Sequence, residues 1–250
     1  MKRPSMDATG RFTRHASAYD AGRPVYPVEA IDLIFAGMGE PARLLVADLG
    51  AGTGISSRML AQRGARVFAV EPNAAMRAKS GPLRDVTWVD ASAERTGLAS
   101  VSVDIATAFQ AFHWFDRDAT FAEIARIVRP RGRAVAVYYE RDESDPFTKS
   151  YGDVVRQFAV DATEQRRTEA LDAFERWNGW ASVRRTDLSA EHVLDAAGLR
   201  DRARSTSYLP QSGPQAEQLA RALDELLAAY AVAGSASMRL VTTVAVAELP

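Results

Sequence analysis

The sequence has 250 residues, 47% hydrophobic and 25% charged, which is typical of a folded globular protein and argues against disorder. A formal net charge of -1 gives no global basic field, so neither nucleic acid nor a membrane surface is expected as a partner. Cysteine is absent and only 3 histidines occur, which excludes disulfides and thiolate chemistry and predicts no metal site. The sequence has neither a long apolar run nor an apolar leader, which predicts a cytoplasmic protein.

Helical and strand patterns alternate between residues 28 and 139. The hydrophobic spacing predicts, in chain order, helix 28–37, strand 44–49, helix 55–62, strand 66–71, helix 74–79, strand 86–89, strand 103–109, helix 118–128, a turn at Pro130–Gly132 and strand 134–139. Alternation of this kind indicates an α/β protein whose sheet is mostly parallel and is covered by helices on both faces.

The alternation stops at residue 141. Residues 141–200 contain only helical and aromatic segments, so we interpret them as a helical cap inserted after strand five, where substrate specificity would reside. Further on, the patterns predict a helix that Ser189 caps and Gly198 ends, a strand over 202–208, a helix with its apolar stripe over 219–230 and a strand over 239–247.

A glycine-rich loop follows the first predicted strand. Gly50, Gly52 and Gly54 alternate with Ala51 and Thr53, at the carboxyl end of the strand, where open α/β sheets bind their ligands. The spacing is G-x-G-x-G. A dinucleotide fingerprint requires G-x-G-x-x-G, and no P-loop motif is present. The loop therefore predicts a nucleotide-like ligand that is not bound in either of those two ways.

An acidic residue ends the second predicted strand. Glu71 precedes Pro72, and a carboxylate at this position can accept hydrogen bonds from both hydroxyls of a ribose. Segments 92–94 and 109–116 follow the third and fourth strands and can enclose an adenine edge and the reactive end of the ligand. An NAD-dependent oxidoreductase remains an alternative because Glu71 would serve it too, although the glycine spacing opposes it.

In combination, these segments resemble the class I S-adenosylmethionine-dependent methyltransferases, within them the small-molecule branch called type 11 or trans-aconitate methyltransferase-like. The resemblance is carried by residues 47–54, 70–73, 91–94, 111–116 and 127–132. It implies a Rossmann-like, doubly wound, mostly parallel sheet of seven strands, with S-adenosyl-L-methionine as cofactor, S-adenosyl-L-homocysteine as product and no metal. It also implies the cofactor-binding residues Tyr19, Arg23, Gly50, Ala51, Gly52, Thr53, Gly54, Glu71, Pro72, Asn73, Met76, Ser92, Ala93, Glu94, Phe109, Gln110, Ala111 and Trp114.

The resemblance implies three parts of the chain. Residues 1–140 would form the cofactor-binding domain with an N-terminal lid around Tyr19 and Arg23, residues 141–200 the cap, and residues 201–250 the end of the sheet. The sequence departs from the family in two places. Ser92 stands where many relatives have an acid near the adenine amine, and Arg131 replaces the first glycine of a Pro-Gly-Gly turn.

His113 is the candidate catalytic residue because it follows the fourth strand and an imidazole titrates near neutral pH. The alternative is that His113 packs beside the cofactor. Trp114 could offer its ring to a sulfonium, and Asp116 is predicted to cap the next helix. Arg166 and Arg167 are interpreted as a solvated helix face, from which an arginine could still bind a substrate carboxylate, as could one of the pair at 184–185.

The function expected from these residues is transfer of a methyl group to an O, an N or a carboxylate of a small-molecule metabolite. A monomer or a homodimer would suffice. The alternative is a protein on the same scaffold that binds the cofactor without transferring its methyl group, either as a pericyclase-like catalyst or as a binding partner.

Overall fold

The computed structural model describes residue 24 and residues 26–250, which form a sheet of seven strands in the order β3-β2-β1-β4-β5-β7-β6. The strands are β1 Leu45–Leu49, β2 Arg66–Val70, β3 Val86–Val89, β4 Val103–Phe109, β5 Val128–Arg141, β6 Ser182–Leu194 and β7 Ala236–Glu248. The helices are α1 Val28–Phe35, α2 Ile55–Gln62, α3 Ala74–Arg77, α4 Arg117–Ile127, α5 Pro146–Phe158, α6 Thr163–Glu175, α7 Ala196–Arg204 and α8 Gly213–Tyr230, with 3-10 turns at Pro41–Arg43 and Phe112–Trp114.

The sheet is mostly parallel, as predicted. β1 pairs in parallel with β2 and β4, β2 with β3, and β4 with β5. β7 is antiparallel to both β5 and β6 and completes the opposite end of the sheet. The strand order reverses between β1 and β4, and the crevice at the carboxyl ends of these strands is where doubly wound sheets bind ligands. The Rossmann-like, doubly wound class is therefore confirmed.

Side chains alternate across the sheet and build a core on each face. Val46 of β1 belongs to the core under α1 and α2, whereas Ala47 and Leu49 belong to the core under α4 and α6. A third core lies where α5, α7 and α8 cover the end of β7, around Met238 and Leu240. Among the residues described, no helix is both long and apolar enough to cross a membrane.

The predicted turn at Pro130–Gly132 lies inside a strand instead of before it. β5 begins at Val128, opposite Val103, but Ile105 is already opposite Arg133, so the intervening residues bulge out of the ladder. Arg131 has φ 62°, the left-handed conformation that glycine adopts most easily, which explains why relatives can place glycine there.

The largest error of the sequence prediction is the segment 182–194. It was expected in the helical cap, but it forms β6, the edge strand beside β7. Ser189 is therefore a strand residue, and His192 lies on β6 instead of on a helix surface. The reason is that an edge strand is solvated and carries many charged residues, so its pattern lacks the apolar runs of the central strands.

Two boundaries after β6 were also wrong. Asp195, not Ser189, caps the next helix, because its Oδ1 accepts a hydrogen bond of 2.8 Å from the N–H of Gly198. Gly198 lies in the first turn of that helix and does not end it. Residues 202–208, predicted as a strand, are the end of α7 and the turn after it. The last helix and the last strand were predicted correctly.

Candidate active site

The glycine loop between β1 and α2 has a backbone that requires glycine. Gly50, Gly52 and Gly54 have φ of 68°, 59° and 82°. A Cβ on Gly50 would lie 2.8 Å from Cβ of Ala111 and 2.9 Å from Cζ of Phe115. The loop therefore packs directly against the segment that follows β4, with no room for a side chain between them.

Glu71 lies beside this loop because β1 and β2 pair in parallel, with Leu49 opposite Val70. Its Oε2 accepts a hydrogen bond of 3.0 Å from the N–H of Gly52, and its Oε1 accepts one of 2.8 Å from the N–H of Asn73. Burial raises the pKa of the carboxyl, and these two N–H donors oppose the shift. The structure thus joins the loop and the acid into one unit.

A buried carboxylate beneath the loop was missed by the sequence analysis. Oδ2 of Asp48 accepts hydrogen bonds of 2.6 Å from both Ser56 and Ser57, and Oδ1 accepts one of 2.8 Å from Thr107. Burial raises the pKa of Asp48, and the three hydroxyl donors counteract it. Asp48 fastens β1 to α2 and β4. A carboxylate within an apolar strand is the signal, because such a group needs buried donors.

The segment after β2 takes part in local structure. Oδ1 of Asn73 caps α3 by accepting a hydrogen bond of 2.9 Å from the N–H of Ala75. Met76 is buried, and its Cε lies 3.4 Å from where a Cβ on Gly52 would stand. Pro72 is exposed. Thus Asn73 and Met76 support the loop from below.

The segment after β3 reaches toward the segment after β4. Ser92 pairs with Arg95 in an isolated bridge, and Ala93 is buried. Glu94 accepts a hydrogen bond of 2.9 Å through Oε1 from the N–H of Asp116. Asp116 caps α4, as predicted, with Oδ1 accepting from the N–H of Ala119 at 3.1 Å.

The residues after β4 connect the loop to a cleft. The ring of Phe109 packs edge-on against Tyr26 at 5.0 Å between centroids. Gln110 has φ 52°, and its Nε2 donates a hydrogen bond of 3.0 Å to the carbonyl of Tyr139. The ring centroids of His113 and Trp114 are 4.9 Å apart. β4 and β5 therefore hold this segment between the loop and the cleft.

A hydroxyl from β5 holds His113. The Tyr138 hydroxyl oxygen accepts a hydrogen bond of 3.1 Å from the backbone N–H of His113 and lies 3.4 Å from its Nδ1. Burial raises the pKa of Tyr138, so the hydroxyl is protonated at neutral pH. The tautomer of His113 decides which of the two groups, the Tyr138 hydroxyl or Nδ1, donates in the second contact.

An open cleft of about 600 Å³ lies beside this segment. Three of the predicted site residues, Gln110, His113 and Trp114, line it. The other lining residues come mainly from β5, α6 and the end of α7: Tyr139, Glu140, Arg141, Tyr151, Thr163, Arg167, Arg202, Thr206, Ser207 and Tyr208. The glycine loop is not part of this lining, so the residues predicted to bind the cofactor lie mostly beside the cleft and not in it.

The interpretation of the α6 arginines as a solvated face is wrong for Arg167. Its side chain is only 12% exposed, pairs with Glu140 at 2.8 Å and donates a hydrogen bond of 2.6 Å to the carbonyl of Tyr139. Arg166 pairs with Asp161 at 3.0 Å. Arg185 forms ion pairs on the edge of the sheet and does not line the cleft.

Two predicted lid residues, Tyr19 and Arg23, lie outside the described residues. In the part of the chain that is described, no group of three or more histidine, aspartate or glutamate side chains could hold a metal ion.

Known methyltransferases are similar to this chain in sequence. Residues 47–136 match the family model described as a methyltransferase domain. An uncharacterized methyltransferase of Mycobacterium tuberculosis is 36% identical over 150 residues, which are 60% of this chain and 60% of that protein. An uncharacterized methyltransferase-like protein of Schizosaccharomyces pombe is 29% identical over 155 residues, again 60% of each chain. These matches thus span less than two thirds of the relatives' length.

A solved structure extends the likeness to the whole fold. A protein of Anaeromyxobacter dehalogenans, named as a candidate type II methyltransferase, superposes with a TM-score of 0.64 at 25% identity, over 90% of this chain and 97% of that chain. These similarities agree with the predicted resemblance to the class I S-adenosylmethionine-dependent methyltransferases, most directly over residues 47–136.

Proposed function

We propose that this protein transfers the methyl group of S-adenosylmethionine to a small molecule that binds in the cleft beside His113. The observation that carries the proposal is the joined unit of glycine loop and acid, where Glu71 lies within 3.0 Å of Gly52 at the reversal point of the sheet. The family match over residues 47–136 supports the same cofactor.

The residues present fit this cofactor. The loop between β1 and α2 has no side chain at Gly50, Gly52 or Gly54, so a ligand can approach its backbone closely. Glu71 provides a buried carboxylate for ribose hydroxyls, and Ala93 and Phe109 provide apolar surface at the ends of the neighbouring strands. When bound, the cofactor would supply a methyl group that is already activated as a sulfonium.

The protein must then position the acceptor and exclude water. Holding two reactants in line contributes about 7–11 kcal/mol, whereas a general base contributes about 3–5 kcal/mol. The cleft contains buried aromatic side chains, Tyr139 and Tyr151, that restrict how an acceptor can lie. We infer that positioning by the cleft is the main contribution of this chain.

His113 acts in this proposal as a neutral hydrogen-bond donor. We infer that the Tyr138 hydroxyl donates a hydrogen bond to Nδ1, so that the neutral imidazole carries its proton on Nε2. Nε2 in this tautomer can donate to an acceptor molecule but cannot remove a proton from it. The proposal therefore favours an acceptor atom that is nucleophilic without a base, such as a carboxylate oxygen or an unprotonated amine.

Calorimetry and label transfer test the proposal. S-adenosylmethionine and S-adenosylhomocysteine should bind with dissociation constants in the micromolar range, and NAD should not bind. The protein incubated with methyl-labelled cofactor and a small-metabolite extract should move the label into the small-molecule fraction. Binding of NAD without either sulfur ligand would refute the cofactor assignment. Tight cofactor binding with no transfer to any fraction would favour the alternative of a binding protein.

A further inference from the structure

Three arginine side chains border the cleft, and one of them lacks an acidic partner. Arg141 lies 2.6 Å from a carboxylate oxygen of Glu164, and Arg167 lies 2.8 Å from one of Glu140. Arg202, at 8% exposure, is buried. Its Nε has no hydrogen-bond partner, and Arg202 forms no ion pair with any residue that the structure describes. A buried guanidinium of this kind is costly unless an anion compensates it.

The side chain that contacts Arg202 directly is neutral. Nη1 of Arg202 lies 3.4 Å from the hydroxyl of Tyr139, and its Cζ stands 5.2 Å from the centre of that ring. Both contacts are with a neutral side chain. His192 lies close enough for the two to interact, since burial and the charge of Arg202 both lower the pKa of that imidazole. Glu140 also interacts with Arg202, since burial raises the pKa of its carboxyl and nearby arginines, Arg202 among them, oppose the shift, but the ion pair of Glu140 is with Arg167.

In the structure Arg202 lies on the buried side of α7. α7 presents Leu199 and Ala203 to the core beside β7, and Arg202 is buried on the same side. Arg200 and Arg204 of the same helix are exposed and pair with Asp224 and Asp201. α7 thus has two arginines at its surface that pair with acidic residues, and one arginine at the cleft that has no acidic partner.

We propose that Arg202 binds a carboxylate of the methyl acceptor, so that the substrate is an anionic small molecule. This assignment rests on the proposed function, and it adds the class of substrate. A guanidinium binds a carboxylate through paired hydrogen bonds, and a single positive charge is matched by a single negative one. The hydroxyls of Thr206 and Ser207 border the same part of the cleft and can complete the contacts. Phosphate shares this chemistry and is the second arm of the test.

The test uses the full chain saturated with S-adenosylhomocysteine and measures binding by calorimetry. The probes are succinate, citrate, benzoate and phenylacetate, each beside its neutral amide, and inorganic phosphate. At least one acid should bind while its amide does not. Binding of phosphate alone, or of no acid at all, would overturn the proposal.

Variants then assign the site to Arg202. Arg202→Met should weaken binding of the acid about 10- to 100-fold, the loss of a hydrogen bond to a charged group, without changing the affinity for S-adenosylhomocysteine. Arg204→Met, on the same helix, is the control and should change neither affinity. An unchanged affinity for the acid in Arg202→Met would refute the assignment. If Arg202→Met does not fold, Arg202→Gln, which also removes the charge, should weaken binding of the acid in the same way, and an unaltered affinity there would equally refute the assignment.

The same data separate this inference from the proposed function. If S-adenosylhomocysteine fails to bind the parent protein, the proposed function fails, and titration of the acids without it still reports on Arg202. If Arg202→Met weakens S-adenosylhomocysteine instead of the acids, Arg202 holds the cofactor and the inference about the substrate is wrong.

Discussion

The two neighbouring candidate sites at the carboxyl edge of the sheet differ in which groups form them: backbone groups form one, and side chains form the other. The site at β1 and β2 consists mainly of backbone, with glycines in left-handed conformations and a Glu71 carboxylate that accepts two N–H bonds. The cleft beside β5 consists of charged and hydroxyl-bearing side chains on β5, α6 and α7. Backbone sites depend on conformation, whereas side-chain sites depend on charge, so different substitutions should disable each one.

Gly52→Val should have the largest effect and should be confined to the backbone site. The side chain would force a β-branched residue into φ 59° and into contact with Met76, so the affinity for S-adenosylmethionine should fall by about 100-fold or more. Calorimetry measures the affinity, and thermal unfolding verifies that the variant folds.

Gly81→Val is the matched control for backbone strain. Gly81 has φ 64°, and nothing lies within 4 Å of a Cβ placed there. Both valines should lower the unfolding temperature, but only the one at position 52 should reduce binding. Equal binding by the two variants would show that the loop does not hold the cofactor.

The two sites also differ in how far the sequence could predict them. The strands and helices of the parallel half follow local patterns, and Ile55–Gln62, Val86–Val89 and Val103–Phe109 have the predicted bounds. The site at β1 and β2 could therefore be predicted from the sequence as a glycine loop, an acidic residue and a segment after each strand. The exception is Asp48, whose partners lie on two other elements, α2 and β4.

The cleft was much harder to predict because distant segments build it. β6 pairs with β7, and the paired residues are far apart along the chain, as Ser182 and Glu248 are. The solvated face of β6 has no apolar run. Arg202 was predicted on a strand, so its inward direction from α7 could not be deduced. Local periodicity says nothing about which side chains of separate helices meet.

Glu71→Ala should also weaken the backbone site, by about 10- to 100-fold, because a hydrogen bond to a charged group contributes about 1.5–3 kcal/mol. Asp90→Ala is the control, since Asp90 follows β3 as Glu71 follows β2 but is exposed and pairs with Arg77 at 2.7 Å. Equilibrium binding of S-adenosylhomocysteine measures both variants. The placement of the ribose is wrong if Glu71→Ala binds as tightly as the parent.

Glu123→Gln should show that the parallel half of the sheet also contains a contact that depends on charge, the one by which Glu123 connects Thr96 to Arg126. Glu123 accepts hydrogen bonds from the N–H and hydroxyl of Thr96 and from Arg126, and the hydrogen bonds to Arg126 lower its pKa from 4.5 to about 2. Loss of this carboxylate should reduce the free energy of unfolding by about 1–3 kcal/mol at pH 7.

The pH dependence identifies the charge as the cause. A lowered pKa in the folded state stabilises it fully above about pH 4.5, and this contribution disappears as the pH falls toward 2. Urea unfolding at pH 7 and pH 3 should therefore give a smaller difference between parent and Glu123→Gln at pH 3. Glu225→Gln, an exposed change on α8, should leave the free energy of unfolding unchanged at both pH values. A difference that stays constant with pH would mean that shape, and not charge, matters at position 123.

His113→Gln should have the smallest effect, with kcat within about tenfold of the parent, measured with an acceptor found by label transfer. In the proposed tautomer the buried Tyr138 hydroxyl donates a hydrogen bond to Nδ1, which leaves Nε2 protonated and able only to donate. Glutamine can also donate from its side-chain amide, so a role in positioning should largely survive. The pH profile of kcat should then lack an ionisation that depends on residue 113.

A decrease of kcat by about 100-fold or more, together with loss of one limb of its pH profile, is the signature of a general base. Such a result with unchanged cofactor affinity would establish His113 as the base and would require the opposite tautomer, with Nδ1 donating to Tyr138. Tyr138→Phe distinguishes the two arrangements: it should leave kcat nearly unchanged if His113 only donates, and should lower it if the hydroxyl orients a base.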